Sequence, residues 1–323
     1  MNTPKIAVVI PFFQRESGIL ARSLLSIHKQ GYPADSLYVV VVDDGSPIAA
    51  EAELIANPAP AGLRVKVIRK ENSGPNEARN TGLENLEPDT DLVAYLDSDD
   101  EWIGDHLARA ITALSAGYTA YFANLYHLGD DIAEFEKAKR VRPEEHPIVQ
   151  SDPTLREYQG DMVHQISTAN IIFMPSLVID AKALGKARFP MAHRHGGGDY
   201  LYWMDLIQHG ARFVFSTQPE VRCGSGINMW YGSGWGTDGL AKRILDEARF
   251  RYTVFNRYAK TQQTRDALRH RITELHVLML QDAIHRLRYH KPVDWPLIRR
   301  FYREIPPSIS NMLLMLAKRL LRR

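Results

Sequence analysis

Short apolar runs alternate with segments of helical periodicity along the first hundred residues of the chain. The runs are five or six residues long and rich in Val and Ile, and most are apolar throughout, which is typical of strands covered on both faces. They occupy residues 6–10, 37–42, 64–68 and 92–96. The run at 64–68 alternates instead, which indicates a strand nearer an edge. Helices are predicted at 17–30 and 76–86, so the order predicts an α/β fold with a parallel sheet.

The remainder of the chain gives weaker signals. Residues 130–162 are rich in charge and Pro and lack periodicity, so we expect a long loop or a partly ordered insertion. Apolar character returns at 171–179, and a further short strand is predicted at 212–215. A Gly-rich loop that carries Trp residues follows at 230–236, and apolar positions with helical spacing come after it. We therefore place a boundary near residue 240.

Composition is that of a globular protein. The chain has 323 residues, of which 45% are apolar and 24% charged, which is enough for a catalytic domain with an appended part. The single cysteine, Cys223, excludes an internal disulfide or a zinc cluster of Cys ligands and fits a reducing compartment. The N-terminal apolar run ends at Pro11 and is much too short for a signal peptide or a membrane span. These features predict a cytoplasmic protein.

The C-terminal tail is basic, although the net charge of the whole chain is only +2. The last forty residues carry ten Lys or Arg against two acidic residues, Asp294 and Glu304. Residues 311–323 place apolar and basic positions on different sides of a helix that is too short to span a bilayer. Two interpretations stay open: peripheral contact with the inner face of an anionic membrane, or a helix docked on the body with solvated basic residues. Specific nucleic-acid binding is not indicated, because aromatic residues do not interleave the basic ones.

Polar and aromatic residues stand at the ends of three predicted strands. Residues 11–13 follow the first strand, residues 43–46 the second, and residues 97–100 the strand at 92–96. The carboxyl ends of parallel strands open on one edge of a sheet, so these groups are expected to converge there. Clustered carboxylates suit Mg²⁺ or Mn²⁺, and an aromatic ring beside them suits a nucleotide base. Taken one at a time, the acidic turns would be structural turns and caps.

Four blocks in this region together resemble the nucleotide-binding half of an inverting family 2 glycosyltransferase with a GT-A fold. The blocks are VVIPFFQRE, VVVVDDGSP, NSGPNEARNTGL and VAYLDSDDEW. The resemblance implies a Rossmann-like, mostly parallel central sheet flanked by helices, and a catalytic domain over 1–240. The nucleotide-binding half would span 1–105 and the acceptor half 106–240, followed by a helical region at 241–323. It also implies a nucleotide-sugar donor, a UDP-sugar by preference, and Mn²⁺ or Mg²⁺ as the cofactor.

The resemblance also assigns donor-binding residues. Phe13 occupies the position of a ring that stacks on uracil, and Asp44 that of a carboxylate that meets the base. Arg79 matches a basic residue near the nucleotide, although a solvated residue on a helix surface is the alternative. Residues 97–100 fall in the DxD region, which implies ribose and metal contacts, with Asp99 and Asp100 as the preferred metal ligands. The donor-binding set is Pro11, Phe13, Asp44, Arg79, Asp97, Ser98 and Asp99.

A weaker block, HGGGDYLYW from His195, resembles the family's GED motif before a helix and assigns Asp199 as the catalytic base. A base is needed because the acceptor hydroxyl loses its proton as it attacks the anomeric carbon. A diphosphate leaves as an anion, so the second carboxyl group of a glycosidase is not required. Taken alone, Asp199 would be a helix cap. The acceptor, a glycan or a lipid-linked glycan, is expected at His195, Trp230 and Trp235. The alternative is core packing for the two Trp rings and a solvent-facing or structural place for His195.

Two departures from the family pattern limit these assignments. Gly198 stands where the family often has Glu, and Cys223 stands near the usual position of a His metal ligand. The metal would then be completed by diphosphate and water, or Arg222 would supply fixed positive charge. No QxxRW-like sequence follows, which favours the transfer of one sugar in surface-glycan assembly over processive synthesis. The rival hypotheses are a nucleotidyltransferase acting on sugar phosphates and a non-catalytic, membrane-associated module that binds nucleotide sugars.

Overall fold

The computed structural model describes residues 3–194, 196–224 and 233–320. In chain order its elements are β1 (Ile6–Phe12), α1 (Ile19–His28), β2 (Leu37–Asp43), α2 (Ala50–Ala56), β3 (Arg64–Arg69), α3 (Pro75–Glu84), β4 (Leu92–Tyr95), β5 (Glu101–Trp102), α4 (His106–Ser115), β6 (Ala120–Tyr126), α5 (Glu134–Ala138), β7 (Ile148–Val149), β8 (Asp152–Glu157), α6 (Met162–Thr168), β9 (Val178–Asp180), α7 (Ala181–Leu184), α8 (Gly198–Gln208), β10 (Phe213–Arg222), α9 (Leu240–Arg257), α10 (Gln262–Arg288), α11 (Trp295–Glu304) and α12 (Ile309–Leu320). The predicted strands and helices of the first hundred residues are confirmed.

The described strands form one mixed sheet in the order β3-β2-β1-β4-β9-β6-β10-β8-β7, with β5 paired to β10. Strands β3, β2, β1 and β4 are mutually parallel, as the alternation of apolar runs and helices predicted. Strand β9 is antiparallel to both β4 and β6, and β10 is parallel to β6 but antiparallel to β8. The parallel character therefore belongs to the first half of the sheet, and all three strand ends of the predicted site lie in that half.

The segment at 130–162 is not the long loop that its composition predicted. It contains α5 and the antiparallel pair β7 and β8, which extends the sheet beyond β10. The hairpin is polar because it lies at the edge, where only Val149 and Leu155 are buried. The strand predicted at 212–215 begins at Phe213 but continues to Arg222, and this extension carries its end to the site.

The core lies on both faces of the sheet because side chains alternate along each strand. Val9 of β1 packs on the face covered by α3 and α8, while Val8 and Ile10 pack on the face covered by α1 and α4. Helix α3 lies very close to β1 at Gly82, where an added Cβ would be 2.4 Å from Cγ1 of Val9. This close approach sets the position of α3, whose first turns carry several of the site residues described below.

The C-terminal helices continue this core. Phe250 and Val254 of α9 and Tyr258 just after it belong to the same buried cluster as residues of α8, and α10 adds Leu268. A further buried cluster joins α9, α10 and α11. None of the helices within the described residues is both long enough and apolar enough to cross a membrane. The boundary near 240 coincides with the start of α9, and the division into two domains stays a prediction.

We expect Gly82→Ala to lower the free energy of unfolding by about 1–3 kcal/mol, because the methyl group would overlap Val9 in a packed helix–strand contact. The loss should outweigh the higher helix propensity of Ala. Urea denaturation measures it, and Gly234→Ala is the control, since a Cβ there would have no neighbour within 4 Å. Equal stability of the Gly82→Ala protein and the wild type would show that α3 does not depend on this approach.

Candidate active site

The ends of β1, β2 and β4 are joined by direct hydrogen bonds. The backbone N–H of Gln14, just beyond β1, donates to Oγ of Ser46 after β2 (2.7 Å). The Gln14 side chain donates to Oγ of Ser98 after β4 (2.9 Å). The backbone N–H of Asp44 donates to the carbonyl of Phe12 (2.9 Å). The predicted convergence of the three strand ends is therefore confirmed, with Gln14 as the link.

Residues 97–100, here called the acid loop, form a tight turn after β4. The backbone N–H of Asp100 donates to the carbonyl of Asp97 (3.0 Å), and the hydroxyl of Ser23 on α1 lies 2.7 Å from the Asp100 carbonyl. Ser98 is buried, and its hydroxyl is occupied by Gln14. The side chain of Ser98 thus supports the loop, and its contact with the donor stays a prediction.

The three carboxylates of the acid loop crowd one another. Burial, with the negative charges of Asp97 and Asp99, raises the pKa of Asp100 well above its ordinary value. One Asp100 oxygen accepts the backbone N–H of Gly224 (2.9 Å). A divalent cation would relieve this repulsion, and carboxylate oxygens are the ligands that Mg²⁺ and Mn²⁺ prefer. Across the described ranges no group of three His, Cys, Asp or Glu side chains is placed to hold a metal. A cation held by two of these carboxylates would take further ligands from diphosphate and water, as the sequence analysis expects.

The end of β10 packs directly against the acid loop. A Cβ at Gly224 would lie 1.7 Å from the carbonyl oxygen of Asp99, so glycine is required at this position. Arg222 was the residue expected to supply positive charge in place of the missing His metal ligand. Its guanidinium lies over the ring of Tyr126, 4.9 Å from the ring centroid, and so already has a cation–π partner. Burial, with the negative charge of Asp100, raises the pKa of the Cys223 thiol. Cys223 thus stands beside the acid loop as a neutral thiol.

Asp44 is almost fully buried and already has several partners. Its carboxylate accepts the backbone N–H groups of Ser73 (2.9 Å) and Gly74 (2.7 Å), and it pairs with Lys70 (3.1 Å). It therefore holds the loop that leads into α3. The neighbouring Asp43 caps the turn after β2 by accepting the N–H groups of Ser46 and Ala50, and its contacts are those of an acidic structural turn.

The two phenylalanines at the end of β1 differ in their exposure. Phe12 is buried in the core, whereas Phe13 and Pro11 are half-buried. Only Phe13 can present its ring to a ligand, in agreement with the assignment made from the sequence. The contact of Asp44 with a base and the stacking on Phe13 both stay predictions.

Arg79 is buried, so the alternative interpretation of this residue as a solvated position on a helix surface is wrong. Its side chain is 8% exposed, and its guanidinium pairs with Asp97 (2.6 Å) and lies over the ring of Phe189 (5.6 Å). Its Nε is buried without a hydrogen-bond partner in the described part of the chain. Burial raises the pKa of Asp100 and of Asp199, and the charge of Arg79 opposes both rises, so one guanidinium acts on carboxylates of the acid loop and of α8.

Asp199 lies in the first turn of α8 and is half-buried. The helix is preceded by Gly197 at its N-cap position, so Asp199 is not the cap that its isolated sequence indicated. Burial raises the pKa of the Asp199 carboxyl above its ordinary value, although the Arg79 charge and the N–H of Tyr200 oppose this rise. A carboxylate with raised proton affinity beside a fixed cation is suited to accept a proton as a general base.

Helix α3 also holds the segment that precedes Asp199. The side chain of Asn80 makes two hydrogen bonds to the backbone of Phe189 (2.8 and 2.9 Å), and the amide of Asn76 donates to the carbonyl of His193 (3.1 Å). A Cβ at Gly198 would lie 2.0 Å from Nδ2 of Asn76. The departure from the Glu of the family motif therefore has a steric reason, since Asn76 fills the space that a side chain at 198 would need.

The expected acceptor residues have different outcomes. His195 and Trp230 lie outside the described residues. Trp235 is 54% exposed, and its ring lies 5.3 Å from that of His285 on α10. It is therefore available at the surface, although its role with an acceptor stays a prediction.

Sequence reasoning missed residues that position the site. Lys70, Asn76 and Asn80 were not singled out, although the last two stand in the block NSGPNEARNTGL that carried the resemblance. Glu220 on β10 is fully buried and binds His106 (2.9 Å), Arg109 (3.2 Å) and the hydroxyl of Tyr121 beneath the acid loop. No local pattern marks Glu220, because its partners come from α4 and β6.

Comparisons with known proteins agree with this geometry. Residues 7–177 match the family described as Glycosyl transferase family 2. The succinoglycan biosynthesis protein ExoW of Rhizobium meliloti is 30% identical over 316 residues, which cover 95% of this chain and 96% of that protein.

Solved structures show the same architecture. S. aureus TarS 1–349 in complex with UDP-GlcNAc is similar with a TM-score of 0.53 at 19% identity, over 88% of this chain and 87% of that one. A longer TarS chain gives 0.54 at 18% identity, with 95% of this chain covering 54% of its length. The mannosyltransferase PcManGT from Pyrobaculum calidifontis, in complex with GDP-Man and Mn²⁺, gives 0.53 at 17% identity over 99% and 81%. At these identities the likeness shows the fold, which is GT-A.

The family match covers more than half of the chain and contains each of the three strand ends that Gln14 ties together. The chain therefore belongs to glycosyltransferase family 2.

Proposed function

We propose that this glycosyltransferase moves one sugar, with inversion, from a nucleoside diphosphate donor to an acceptor hydroxyl. The observation that carries the proposal is the placement of Asp199 and the acid loop around one buried cation, Arg79. Asp199 takes the proton of the acceptor hydroxyl while that oxygen forms its bond to the anomeric carbon. The bond from that carbon to the diphosphate oxygen breaks, and the nucleoside diphosphate leaves with the electron pair. Displacement from the opposite face inverts the anomeric configuration.

The proposed donor is a UDP-sugar. The half-buried ring of Phe13 is suited to stacking on a pyrimidine, and Asp44 lies beside it through the hydrogen bond to Phe12. The TarS structure with UDP-GlcNAc and the mannosyltransferase structure with GDP-Man both support a nucleotide sugar. Pro11 and Asp97 complete the proposed donor pocket, in which Asp97 is held by Arg79.

Asp99 and Asp100 would hold the divalent cation, Mn²⁺ or Mg²⁺. When bound, the cation draws negative charge from the departing diphosphate. The crowded carboxylates of the acid loop support this role, as does the Mn²⁺ in the archaeal mannosyltransferase structure. Arg79 supplies fixed positive charge on the other side of Asp97, with which it forms an ion pair (2.6 Å).

The proposed acceptor is a growing glycan, free or lipid-linked, and the proposed role is surface-glycan assembly. The name of the ExoW relative supports synthesis of a polysaccharide. We place the protein in the cytoplasm, in contact with the inner face of the membrane. An assay that separates a released nucleoside diphosphate from pyrophosphate would distinguish this function from nucleotidyl transfer. A non-catalytic binding module would release neither.

We expect Asp199→Asn to reduce turnover by about 10²-fold or more, because the acceptor hydroxyl would lose its base. Protection by UDP against thermal unfolding should persist, since Asp199 is assigned no donor contact. Release of UDP from a UDP-sugar panel in the presence of acceptor extracts measures the loss. Asp266→Asn, at an exposed position on α10, is the matched control. Turnover that survives in the Asp199→Asn protein would remove this residue from the reaction.

We expect Asp99→Asn and Asp100→Asn to remove the gain in UDP affinity that Mn²⁺ provides, by about tenfold or more, because each carboxylate would hold the cation. Calorimetric titration of UDP with and without Mn²⁺ measures this gain. Asp89→Asn is the control, since Asp89 is exposed and lies at the opposite end of β4. A Mn²⁺-dependent gain as large as that of the wild type would contradict the metal assignment.

We expect Gly198→Ala to lower kcat by about 10–100-fold, because the methyl group would displace the Asn76 amide and shift Asp199. Asn76→Ala in the same protein removes the obstructing amide, so the double variant should be more active than Gly198→Ala alone. UDP protection should stay constant in all three variants. Strictly additive losses in kcat would show that residues 76 and 198 do not form a matched pair.

A further inference from the structure

Exposed apolar side chains are concentrated in one part of the C-terminal region. Fourteen large hydrophobic residues of the described ranges are exposed, and seven of them lie between residues 280 and 313. Single exposed apolar residues are normal, whereas a concentration of them marks a surface that meets a partner. The seven are Leu280, Ile284, Leu287, Tyr289, Trp295, Ile309 and Leu313.

Three of these residues form a stripe along α10. Leu280, Ile284 and Leu287 follow one another at spacings of four and three, which places them on one face of the helix. Thr273 and Val277 continue the stripe toward the N-terminus and are buried. The same face is thus covered in the middle of α10 and uncovered in its last turns. There the exposed fractions are 38% for Leu280, 55% for Ile284 and 54% for Leu287.

Helix α12 lies against α10 and adds a second apolar pair. Ile309 and Leu313 are four residues apart and are 69% and 63% exposed. We define the docking face as Leu280, Ile284, Leu287, Ile309 and Leu313.

The charge around the docking face is positive. Residues 288–304, all of them described by the structure, carry five basic and two acidic residues, and Arg288, Lys291 and Arg303 are exposed. One of the two acidic residues, Glu304, is neutralised by Arg249 (2.6 Å) and Arg300 (2.8 Å). Two copies of this chain meeting through the docking face would bring like charges together, whereas an anionic lipid surface satisfies both the apolar and the basic side chains.

The last turns of α10 and the residues just after it are fastened to the loop that carries the expected acceptor residue Trp235. Arg286 of α10 binds the carbonyl of Thr237 and the carboxylate of Asp238 (3.0 Å). Lys291 donates to the carbonyl of Gly236 (3.1 Å).

We propose that the docking face binds an anionic membrane surface and that a lipid-linked acceptor reaches the enzyme from that surface. The choice of acceptor rests on the proposed function, whereas the docking itself does not. Apolar residues enter the boundary between head groups and acyl chains, and the surrounding Arg and Lys residues pair with anionic head groups. In this proposal α10 and α12 lie at the membrane surface and do not cross the bilayer.

Co-sedimentation of the full chain with vesicles tests the proposal. The vesicles contain phosphatidylcholine alone, or equal parts of phosphatidylcholine and phosphatidylglycerol. We expect binding to the anionic vesicles only, weakened by added salt. Leu280→Gln, Ile284→Gln and Leu287→Gln in one protein should reduce it by about tenfold or more, because the stripe would no longer enter the lipid.

The matched control carries Ile55→Gln and Leu128→Gln, two exposed apolar positions on other elements, and should bind as the wild type does. Equal binding of the triple variant and the wild type, or equal binding to both vesicle types, would overturn the proposal. A wild-type dimer in light scattering that the triple variant loses would assign the face to a second copy instead.

UDP protection and turnover separate this proposal from the proposed reaction. The triple variant should keep UDP protection, and Asp199→Asn should keep vesicle binding. Failure of vesicle binding with intact turnover would therefore remove only the docking face.

Discussion

The positive charge of Arg79 is the interaction on which the rest of the site depends. The guanidinium is buried, pairs with Asp97, and lies over the ring of Phe189. Carboxylates of the acid loop and of α8 are gathered around it, and their mutual repulsion would oppose that arrangement without a fixed cation. Arg79 is 8% exposed and Asp97 32% exposed, so the pair is half-buried and Arg79 constrains structure and chemistry together. Burial raises the pKa of Asp199, and the charge of Arg79 opposes that rise.

Helix α3 delivers this charge because it lies so close to β1. Gly82 permits the approach, and the first turns of the helix then place Asn76, Arg79 and Asn80 against the segment before α8. Asp44 holds the loop that leads into the helix, so its buried carboxylate sets the start of α3 whatever further contact it makes with a base. Phe250 of α9 closes the other side, since a Cβ at Gly197 would lie 2.6 Å from its ring. The helical region is thus part of the support of Asp199.

Much of the site was readable from local pattern. The strands β1, β2 and β4 are apolar throughout, so their ends and the residues just after them were identifiable, and parallel pairing implied that these ends meet. Asp199, Arg79 and the acid loop stood in blocks with a family resemblance, which the family match supports for residues 7–177. The hairpin of β7 and β8 was missed because an edge strand buries few side chains and so lacks a strong apolar signal. Glu220 and Gln14 were missed because each acts through partners that are remote along the chain.

The sequence by itself determined the α/β class, the convergence of the three strand ends, and the family, because these follow from hydrophobic period and from contiguous motifs. Only the tertiary structure decided what each polar residue does. Ser98 turned out to be a support of the acid loop, Arg79 a buried counter-ion, and Gly198 the partner of Asn76. The physical reason is that burial and charge at a position are set by side chains from distant segments, whose approach no local pattern records.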